Sequence, residues 1–312
     1  MFFKSESQCH QQDNTILHSR LSKRMIVTLI LVAVVIRVVI VSVSDFSELK
    51  TDAWAYHGAA SSFVREGTML QSSQAVFFGL TELLAHAPRR EPLHLFAVGY
   101  PLYLAGVYFL FGDGLTGRLI SMLLLAVVAG LLLPFAALDL CRKLGGRSAL
   151  EGWFALIFVA LWPEALVMMG YMLSENLTVL LLTGWIWLVS SVLAGVIKPR
   201  ASILALCGFL GGMLFLVRCE YAPLILLVAI ILGMPLPGEQ LMGQYHLRLK
   251  RTALALGVSL PFLIAPTIRN AWHFGEFTPF TGGGGENFWA TTIPPYTSFL
   301  TGKNHDVLLV NY

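Results

Sequence analysis

The chain has 312 residues, of which 56% are hydrophobic and only 12% are charged, and its mean hydropathy is +0.71. A soluble domain carries about a quarter charged residues, so this chain cannot cover a globular surface with polar groups and is predicted to be an integral membrane protein. The net charge of +3 is too small to indicate nucleic-acid binding, and the four cysteines lack the spacing of a metal site or a disulfide framework.

Seven hydrophobic segments have lengths near the ~20 residues that cross a bilayer. In chain order they are 25–44, 117–141, 151–170, 175–196, 201–217, 219–236 and 252–268. Basic residues at positions 20, 23 and 24 precede the first segment, and no small-residue cleavage site follows it. We therefore expect an uncleaved first helix instead of a removed signal peptide.

An eighth apolar run, 93–111, is rich in aromatics and is interrupted by Gly99 and Pro101. This composition favours a segment that lies in the membrane interface over one that spans. If the segment does not span and the basic N-terminus is cytoplasmic, three basic clusters fall in cytoplasmic loops, as the positive-inside rule requires. These clusters are Arg142/Lys143/Arg147, Lys198/Arg200 and His246/Arg248/Lys250/Arg251.

The predicted fold is therefore all-α, a polytopic transmembrane bundle of about seven spans with interfacial helices. Its parts are a cytoplasmic tail (1–24), a transmembrane domain (25–268) that contains a first outer loop (45–116), and an extracytoplasmic glycine-rich segment (269–312). Long loops in a compact protein usually carry function, so we look for a site on the outer face.

The first outer loop contains an acid beside aromatic residues, in the stretch TDAWAYHGAA. Asp52 and Tyr56 are four residues apart, so on a helix they share a face, and His57 follows directly. A carboxylate in this position could act as a general base beside a membrane-bound substrate. The alternative is that Asp52 is simply an acid at a helix start, where the helix dipole favours it.

Four arginines are expected at or near the outer side: Arg37, Arg118, Arg218 and Arg269. An arginine in or near hydrocarbon is costly, so it tends to face a cavity or an anion, and its guanidinium suits bidentate phosphate binding. Snorkelling of each side chain to the lipid headgroups is the alternative. Glu175 and Glu220 are outer-edge acids that could pair with these arginines.

The last stretch of interest is RNAWHFGEFTPFTGGGGENFW, which begins at Arg269 and Asn270 and contains four consecutive glycines, 282–285. Such a run allows either a flexible hinge or a nest of backbone N–H groups that binds an anion; Gly283 and Gly284 would be its centre. It is not a P-loop, because the Lys and the Ser/Thr of that motif are missing.

Taken in order, these motifs resemble the integral-membrane GT-C glycosyltransferases, in particular the protein O-mannosyltransferase and aminoarabinose-transferase branch. The resemblance covers about residues 30–292 and includes an Arg in the first span, TDAWAYHGAA, GYPLYLAGVYFLFG followed by GLTGRLIS, CRKLGG, LWPEALVMMGYMLSENL, LVRCEYAPL and IRNAWHFGEFTPFTGGGGENFW.

The resemblance implies a donor sugar carried on a polyprenyl phosphate, which is transferred by one inverting displacement to an acceptor lipid, glycan or protein at the outer face of the cell inner or plasma membrane. Asp52 matches the family's first-loop acid, which accepts the acceptor's proton. Arg218 and Arg269, with Arg37 and Arg118 behind them, match the cavity arginines that bind the lipid phosphate. The other expected substrate-binding residues are Tyr56, His57, Glu175, Asn270, Gly283 and Gly284. No cofactor and no metal ligand is predicted, and a requirement for a divalent metal stays open.

Two departures keep an alternative open. Ala53 follows Asp52 where the mannosyltransferases carry a second acid, and family members continue past the glycine-rich loop with further spans. The chain could therefore be a C-terminally short, non-catalytic lipid-binding or assembly subunit. A transporter or flippase is the third hypothesis; the charged residues cluster at the outer face, whereas a permeation path wants ionisable groups near mid-membrane.

Overall fold

The structure is a computed structural model, and it describes residues 23–47, 49, 52–72, 90–92, 97–144, 149–235 and 245–274. Within these ranges the regular secondary structure is helical apart from one short two-stranded ribbon. The helices are α1 (Lys23–Val43), α2 (Ala53–Glu66), α3 (Gly99–Phe111), α4 (Leu115–Lys143), α5 (Ala149–Ala160), α6 (Pro163–Met168), α7 (Ser174–Leu193), α8 (Ala201–Val217), a 3₁₀ turn (Cys219–Tyr221), α9 (Ala222–Leu232) and α10 (Tyr245–Phe274).

The ribbon joins two segments of the loop between α1 and α4. Strand β1 (Leu70–Ser72) pairs antiparallel with strand β2 (Arg90–Pro92), with Leu70 opposite Pro92. The Ser62 hydroxyl fastens β1 to α2, because it donates to the Leu70 carbonyl at 3.2 Å and accepts from the Leu70 N–H at 2.8 Å.

Five helical segments of the described residues are long and apolar enough to cross a membrane, by length and composition. They are Lys23–Val43, Leu115–Lys143, Leu150–Met168, Ser174–Leu193 and Tyr245–Trp272. Helix α3, helix α8 and the segment Cys219–Leu232 are shorter apolar helices. For the described residues, the prediction of a helical bundle of membrane type is confirmed at this level, and the count of seven spans stays a prediction.

Helices α1 and α4 run antiparallel, with their loop ends together. A Cβ placed on Gly130 would lie 2.6 Å from the Val34 Cα, so the helices touch near their middles. Near the start of α4, the Arg118 Nη1 donates to the Phe46 carbonyl, just after α1 ends, at 3.1 Å. The segment between α1 and α4 therefore leaves and returns at one end of the bundle, and α3 does not carry the chain across.

Helix α3 lies across the ends of two longer helices. The Tyr103 hydroxyl donates to the Ser121 carbonyl at 2.5 Å, and the Tyr100 hydroxyl lies 3.7 Å from the Met122 Sδ, both in the second turn of α4. At its other end, a Cβ on Gly99 would lie 2.6 Å from the Leu216 carbonyl carbon, at the end of α8. The prediction that this segment lies in the membrane interface stays a prediction.

Helices α8 and α10 run parallel to each other. Gly208 faces Ala255 and, one turn later, Gly212 faces Phe262, so the residue numbers rise together along both helices. Arg218 and the last turns of α10 consequently lie at the same end as the α1–α4 loop. We call this the Arg218 end. The opposite end, where Lys143 of α4 donates to Ser191 near the end of α7 at 2.5 Å, is the Lys143 end.

Two buried clusters fill the bundle, and α7 contributes to both. The first gathers α1, α2, α3, α4 and the start of α7 around Tyr56, Tyr100 and Tyr108. The second gathers the rest of α7 with α8, α9 and α10 around Trp185, whose indole N–H donates to the Cys207 carbonyl at 2.8 Å. Trp185 thus buries its aromatic surface with its N–H satisfied, which stabilises the second cluster.

Several predicted boundaries are wrong in detail. The segment 151–170 is not one helix: it breaks between α5 and α6, because Pro163 has no N–H to continue the ladder and takes the first position of α6. The segment 252–268 lies inside a helix of 30 residues, so the basic cluster that begins at His246 lies in its first turns and not in a loop. Arg269 is likewise inside α10 and does not follow it.

Candidate functional site

Asp52 lies at the start of α2, where the chain turns from the loop into the helix. It is the N-terminal capping residue, yet its side chain makes no capping hydrogen bond with the first turn of the helix. The Tyr56 N–H donates to the Asp52 carbonyl at 3.1 Å, which places the two residues one turn apart. The prediction that they share a helix face is thus confirmed.

A chain of hydrogen bonds runs from α2 across the start of α7 to the turn after α8. The Tyr56 hydroxyl donates to the Ser174 hydroxyl at 3.2 Å, and Ser174 in turn donates to the Glu175 Oε2 at 3.3 Å. The Arg218 Nη1 donates to the Glu175 Oε1 at 2.7 Å, and its Nε donates to the Glu220 Oε1 at 2.6 Å. The predicted pairing of Glu175 and Glu220 with an arginine is confirmed for Arg218.

The electrostatics of Asp52 depend on the same residues. Burial raises the pKa of the Asp52 carboxyl, the negative charge of Glu175 raises it further, and the positive charge of Arg218 lowers it, with a net increase. Burial also raises the pKa of the Tyr56 hydroxyl, which therefore stays a hydrogen-bond donor at neutral pH. Together the side chains form the Asp52 cluster: Asp52, Tyr56, Ser174, Glu175, Arg218 and Glu220.

His57 faces a second group of residues, formed by α3 and α4. The Arg118 Nη2 lies 3.1 Å from the His57 Nε2, and a guanidinium can only donate, so Nε2 is the acceptor. The ring proton is then on Nδ1 and is donated to the Tyr108 hydroxyl at 3.0 Å. Burial and the nearby Arg118 charge lower the pKa of His57 to about 4, so the imidazole is neutral at physiological pH.

Arg118 also fixes the loop that follows α1. Its Nη1 donates to the carbonyls of Phe46 and Ser47, at 3.1 and 3.3 Å. A single guanidinium thereby joins α4, the loop and the imidazole on α2. Nη1 thus positions the start of the first loop, while Nη2 faces His57.

Arg37 has a different environment. The side chain is fully buried, and its Nη1 and Nη2 donate to the carbonyls of Ala160 at 2.9 Å and Val159 at 3.1 Å. These are the last two residues of α5, whose carbonyls have no partner inside the helix because the chain breaks before Pro163. The contacts of Arg37 are those of a side chain that caps α5, and they do not bring it to the Asp52 cluster.

The remaining predicted residues lie at the end of α10 or beyond it. Arg269 donates to the Asn270 Oδ1 at 3.3 Å, and Asn270 is buried. Because α10 runs parallel to α8, both residues lie at the Arg218 end. Gly283 and Gly284 lie outside the described residues.

Two residues that contact the predicted site residues, Ser174 and Tyr108, were not predicted from the sequence. Ser174 connects Tyr56 with Glu175, and its position directly before an acid at a helix start was the available signal. Tyr108 was visible only as one of several aromatics in α3. Its spacing of eight residues from Tyr100, about two helical turns, places both on the face that packs against α2.

A cavity of about 300 Å³ opens beside the Asp52 cluster, between the end of α1, the following loop and the connection from α6 to α7. Its lining residues are Ile40, Ser44, Asp45, Phe46, Leu49, Ala53, Val167, Gly170, Tyr171 and Met172. In the part of the chain that the structure describes, no three His, Cys, Asp or Glu residues lie close enough together to hold a metal ion.

Comparison with known proteins identifies no relative of this chain. No protein-family model, no curated protein and no solved structure matches the chain. The resemblance to GT-C glycosyltransferases therefore stays a prediction that rests on the motifs and their order.

Proposed function

We propose that this chain is a membrane glycosyltransferase with a GT-C-like bundle of seven spans, and that it moves a sugar from a polyprenyl-phosphate donor to an acceptor hydroxyl at the extracytoplasmic face. The observation that carries the proposal is the Asp52 cluster. The Asp52 carboxylate lies at the start of α2, has a raised pKa and makes no capping hydrogen bond. It is also close enough to Arg218, at the same end of the bundle, for that charge to lower its pKa.

The proposed reaction is a single inverting displacement. The acceptor oxygen forms a bond to the anomeric carbon while the bond from that carbon to the phosphate oxygen breaks, and the lipid phosphate leaves with the electron pair. Asp52 takes the proton of the acceptor hydroxyl. A raised pKa makes the ionised carboxylate a stronger base, which supports this role.

The arginines at the Arg218 end would stabilise the departing phosphate. A leaving group that carries its own negative charge needs cations more than it needs a general acid. Arg218 is held in place by Glu175 and Glu220, and Arg269 is partly buried near the end of the parallel helix. We propose that these two residues contact the phosphate.

The test is sugar transfer by purified variants supplied with polyprenyl-phosphate-linked sugars. Asp52→Asn keeps the shape of the side chain but removes its basicity, and we expect transfer to fall by about 10²-fold or more. Asp113→Asn is the matched control, because Asp113 lies at the same end of the bundle but pairs with the exposed Arg65. Transfer at the wild-type rate by Asp52→Asn would remove this mechanism.

One observation favours a second function, that of a non-catalytic lipid-binding or assembly subunit. Two nitrogens of Arg218 already bind carboxylates, and Asp52, Glu175 and Glu220 together outnumber that one cation. A phosphate would have to displace one of these acids. Binding of polyprenyl phosphate without transfer from any sugar donor would support this alternative over the enzyme.

A further inference from the structure

The Lys143 end of the bundle carries a set of exposed cations. Within the ranges that the structure describes, six Lys and Arg side chains at this end are exposed and make no ion pair or side-chain hydrogen bond. They are Lys23, Arg24, Arg142, Lys198, Arg200 and Lys250. We call them the Lys143-end cations.

The helix directions bring these residues to one end of the bundle. Helix α1 runs antiparallel to α4, so its first residues lie at the end where α4 finishes. The Lys143–Ser191 hydrogen bond joins the end of α4 to the end of α7, and α8 begins a few residues later. The start of α10 lies at the same end, because α10 runs parallel to α8. Residues far apart in the chain thus form one basic surface.

Few acids accompany these cations. Asp139 and Glu151 are the acids that the structure describes at the Lys143 end. Asp139 is paired with Lys143, its neighbour one turn along α4, at 2.5 Å. Two acids do not neutralise the basic residues of this end, so the surface is positive and complementary to an anionic partner.

Large apolar side chains are exposed beside the cations. Four of the cations have such a neighbour within two residues of the chain. The pairs are Arg24 with Met25, Arg142 with Leu144, Lys198 with Val196, and Lys250 with Leu249. A cation beside exposed hydrocarbon suits the boundary between lipid head groups and acyl chains, where the apolar part lies in lipid and the charge reaches the phosphate. An acidic protein or a nucleic acid offers the charge without the hydrocarbon.

An aromatic pair indicates the same boundary. The Trp187 and Phe135 rings lie 5.8 Å apart, and Phe135 is exposed. The Lys143 Nζ lies 5.5 Å from the Trp187 ring centroid, and the indole N–H donates to the Asp139 Oδ2 at 2.8 Å. A tryptophan with an apolar face and a satisfied polar edge is typical of the membrane–water interface.

We propose that the Lys143 end binds anionic phospholipids in preference to zwitterionic ones. The phosphate and its net negative charge are held by the Lys143-end cations, and the acyl chains lie against the exposed apolar side chains. This inference does not depend on the proposed function, because it concerns the opposite end of the bundle and requires no turnover.

The first test counts retained lipids. The full chain in a neutral detergent is mixed with equal amounts of dioleoyl phosphatidylglycerol and dioleoyl phosphatidylcholine, separated from free lipid by gel filtration and analysed by mass spectrometry. One cation near an anionic surface favours binding about fivefold, so we expect at least that excess of phosphatidylglycerol at low salt. The excess should fall as added salt screens the charges. Equal retention of the two lipids at low salt would overturn the proposal.

The second test removes the charges. We expect the fourfold variant Arg142→Gln/Lys198→Gln/Arg200→Gln/Lys250→Gln to retain the two lipids in nearly equal amounts. The variant Lys198→Arg/Lys250→Arg keeps the charge and should keep the excess. A wild-type excess in the fourfold variant would place the lipid elsewhere and overturn the proposal.

A single substitution keeps this test decisive if the fourfold variant fails to fold. Arg200→Gln, in the turn before α8, should lower the excess of phosphatidylglycerol several-fold. Arg65→Gln is the matched control, because it removes one exposed arginine from α2, which does not reach the Lys143 end, and should leave the excess unchanged. An equal effect of the two substitutions would show that net charge alone sets the retention, against the proposal.

The third test separates a lipid from other anions. The retention assay is repeated with a large molar excess of glycerol phosphate, or with polyglutamate of matched charge. We expect the excess of phosphatidylglycerol to persist in both cases, because neither competitor replaces the acyl-chain contacts. Displacement by glycerol phosphate would assign the surface to a free phosphate, displacement by polyglutamate would assign it to an acidic protein, and either result would overturn the proposal.

Discussion

The charges of Glu175 and Arg218 act on Asp52 in opposite directions, and this makes its protonation sensitive to Glu175. Burial and Glu175 raise the pKa of Asp52, and Arg218 lowers it. The proposed general base works only when it is deprotonated, so on this proposal sugar transfer should rise with pH through the pKa of Asp52. The acidic limb of the profile is then expected above the ordinary range of an aspartate.

Glu175→Gln tests this dependence. Removing the negative charge lowers the pKa of Asp52, so the acidic limb of the pH profile for sugar transfer should move to lower pH. Glu164→Gln, at an exposed acid in the first turn of α6, serves as the control and should leave the limb in place. An acidic limb that stays fixed or moves upward in Glu175→Gln would show that Asp52 does not control the rate.

His57 gives a second pH dependence, in stability. Its pKa falls from 6.5 to about 4 in the folded chain, so the unfolded chain takes up the proton first as the pH decreases. The stabilisation from His57 is therefore intact above about pH 6.5 and is lost progressively as the pH falls toward 4. Protonation of Nε2 would also break its hydrogen bond with Arg118.

Thermal unfolding in detergent at a series of pH values measures this loss. We expect the unfolding midpoint of the wild-type chain to fall between pH 6.5 and 4 more steeply than that of His57→Gln. His246→Gln, at an exposed position in the first turn of α10, should behave like the wild type. Identical slopes for His57→Gln and the wild type would contradict the tautomer and the contacts assigned to His57.

At the scale of helices, the close approach of α8 and α10 depends on glycine. Gly208 abuts the Ala255 carbonyl so closely that a Cβ would overlap it, and backbone cannot move aside as a flexible side chain can. Gly208→Ala should therefore destabilise the protein by about 1–3 kcal/mol, the usual cost of overpacking. Gly257→Ala on the partner helix is the matched control, since a Cβ there meets nothing within 4 Å.

Unfolding of the two variants in a detergent titration compares them directly. The midpoint of Gly208→Ala should drop, while that of Gly257→Ala should stay at the wild-type value or rise. A wild-type midpoint for Gly208→Ala would mean that the two helices are not packed as closely as the structure shows.

The sequence predicts those features that depend on residues close together in the chain, and it misses those that depend on contacts between distant residues. Hydrophobic length predicts the helices, and the spacing of Asp52 and Tyr56 predicts their shared face, because both depend on neighbours in the chain. The partners of Arg37 lie more than a hundred residues away, at carbonyls freed by a break in another helix. The composition of the chain gives no indication of such a contact. Arg37 was predicted to bind the lipid phosphate, whereas in the structure it binds the end of α5.

At the scale of the whole molecule, the charge pattern of the sequence and the packing of the helices agree on which helix ends lie together. The positive-inside rule predicts that 93–111 does not span, and the contacts of Arg118 return α4 to the end where α1 finishes. The parallel arrangement of α8 and α10 then brings Arg269 to the end that holds Asp52 and Arg218. The sequence predicted that Glu175 and Glu220 could pair with the arginines, but it could not show that both acids bind Arg218, because the pairing joins α7 to the turn after α8.

The central claim is that Asp52 and the arginines of the Arg218 end face the outside together, and cysteine labelling tests it most directly. Trp54 and Trp272 are 51% and 82% exposed and lie close in the chain to Asp52 and Arg269, while Val196, near the Lys143 end, is 69% exposed. We predict that Trp54→Cys and Trp272→Cys react with a membrane-impermeant maleimide in intact cells, above the background of the wild-type cysteines, and that Val196→Cys reacts only after permeabilisation. Labelling of Trp54→Cys and Trp272→Cys from opposite sides of the membrane would contradict the account.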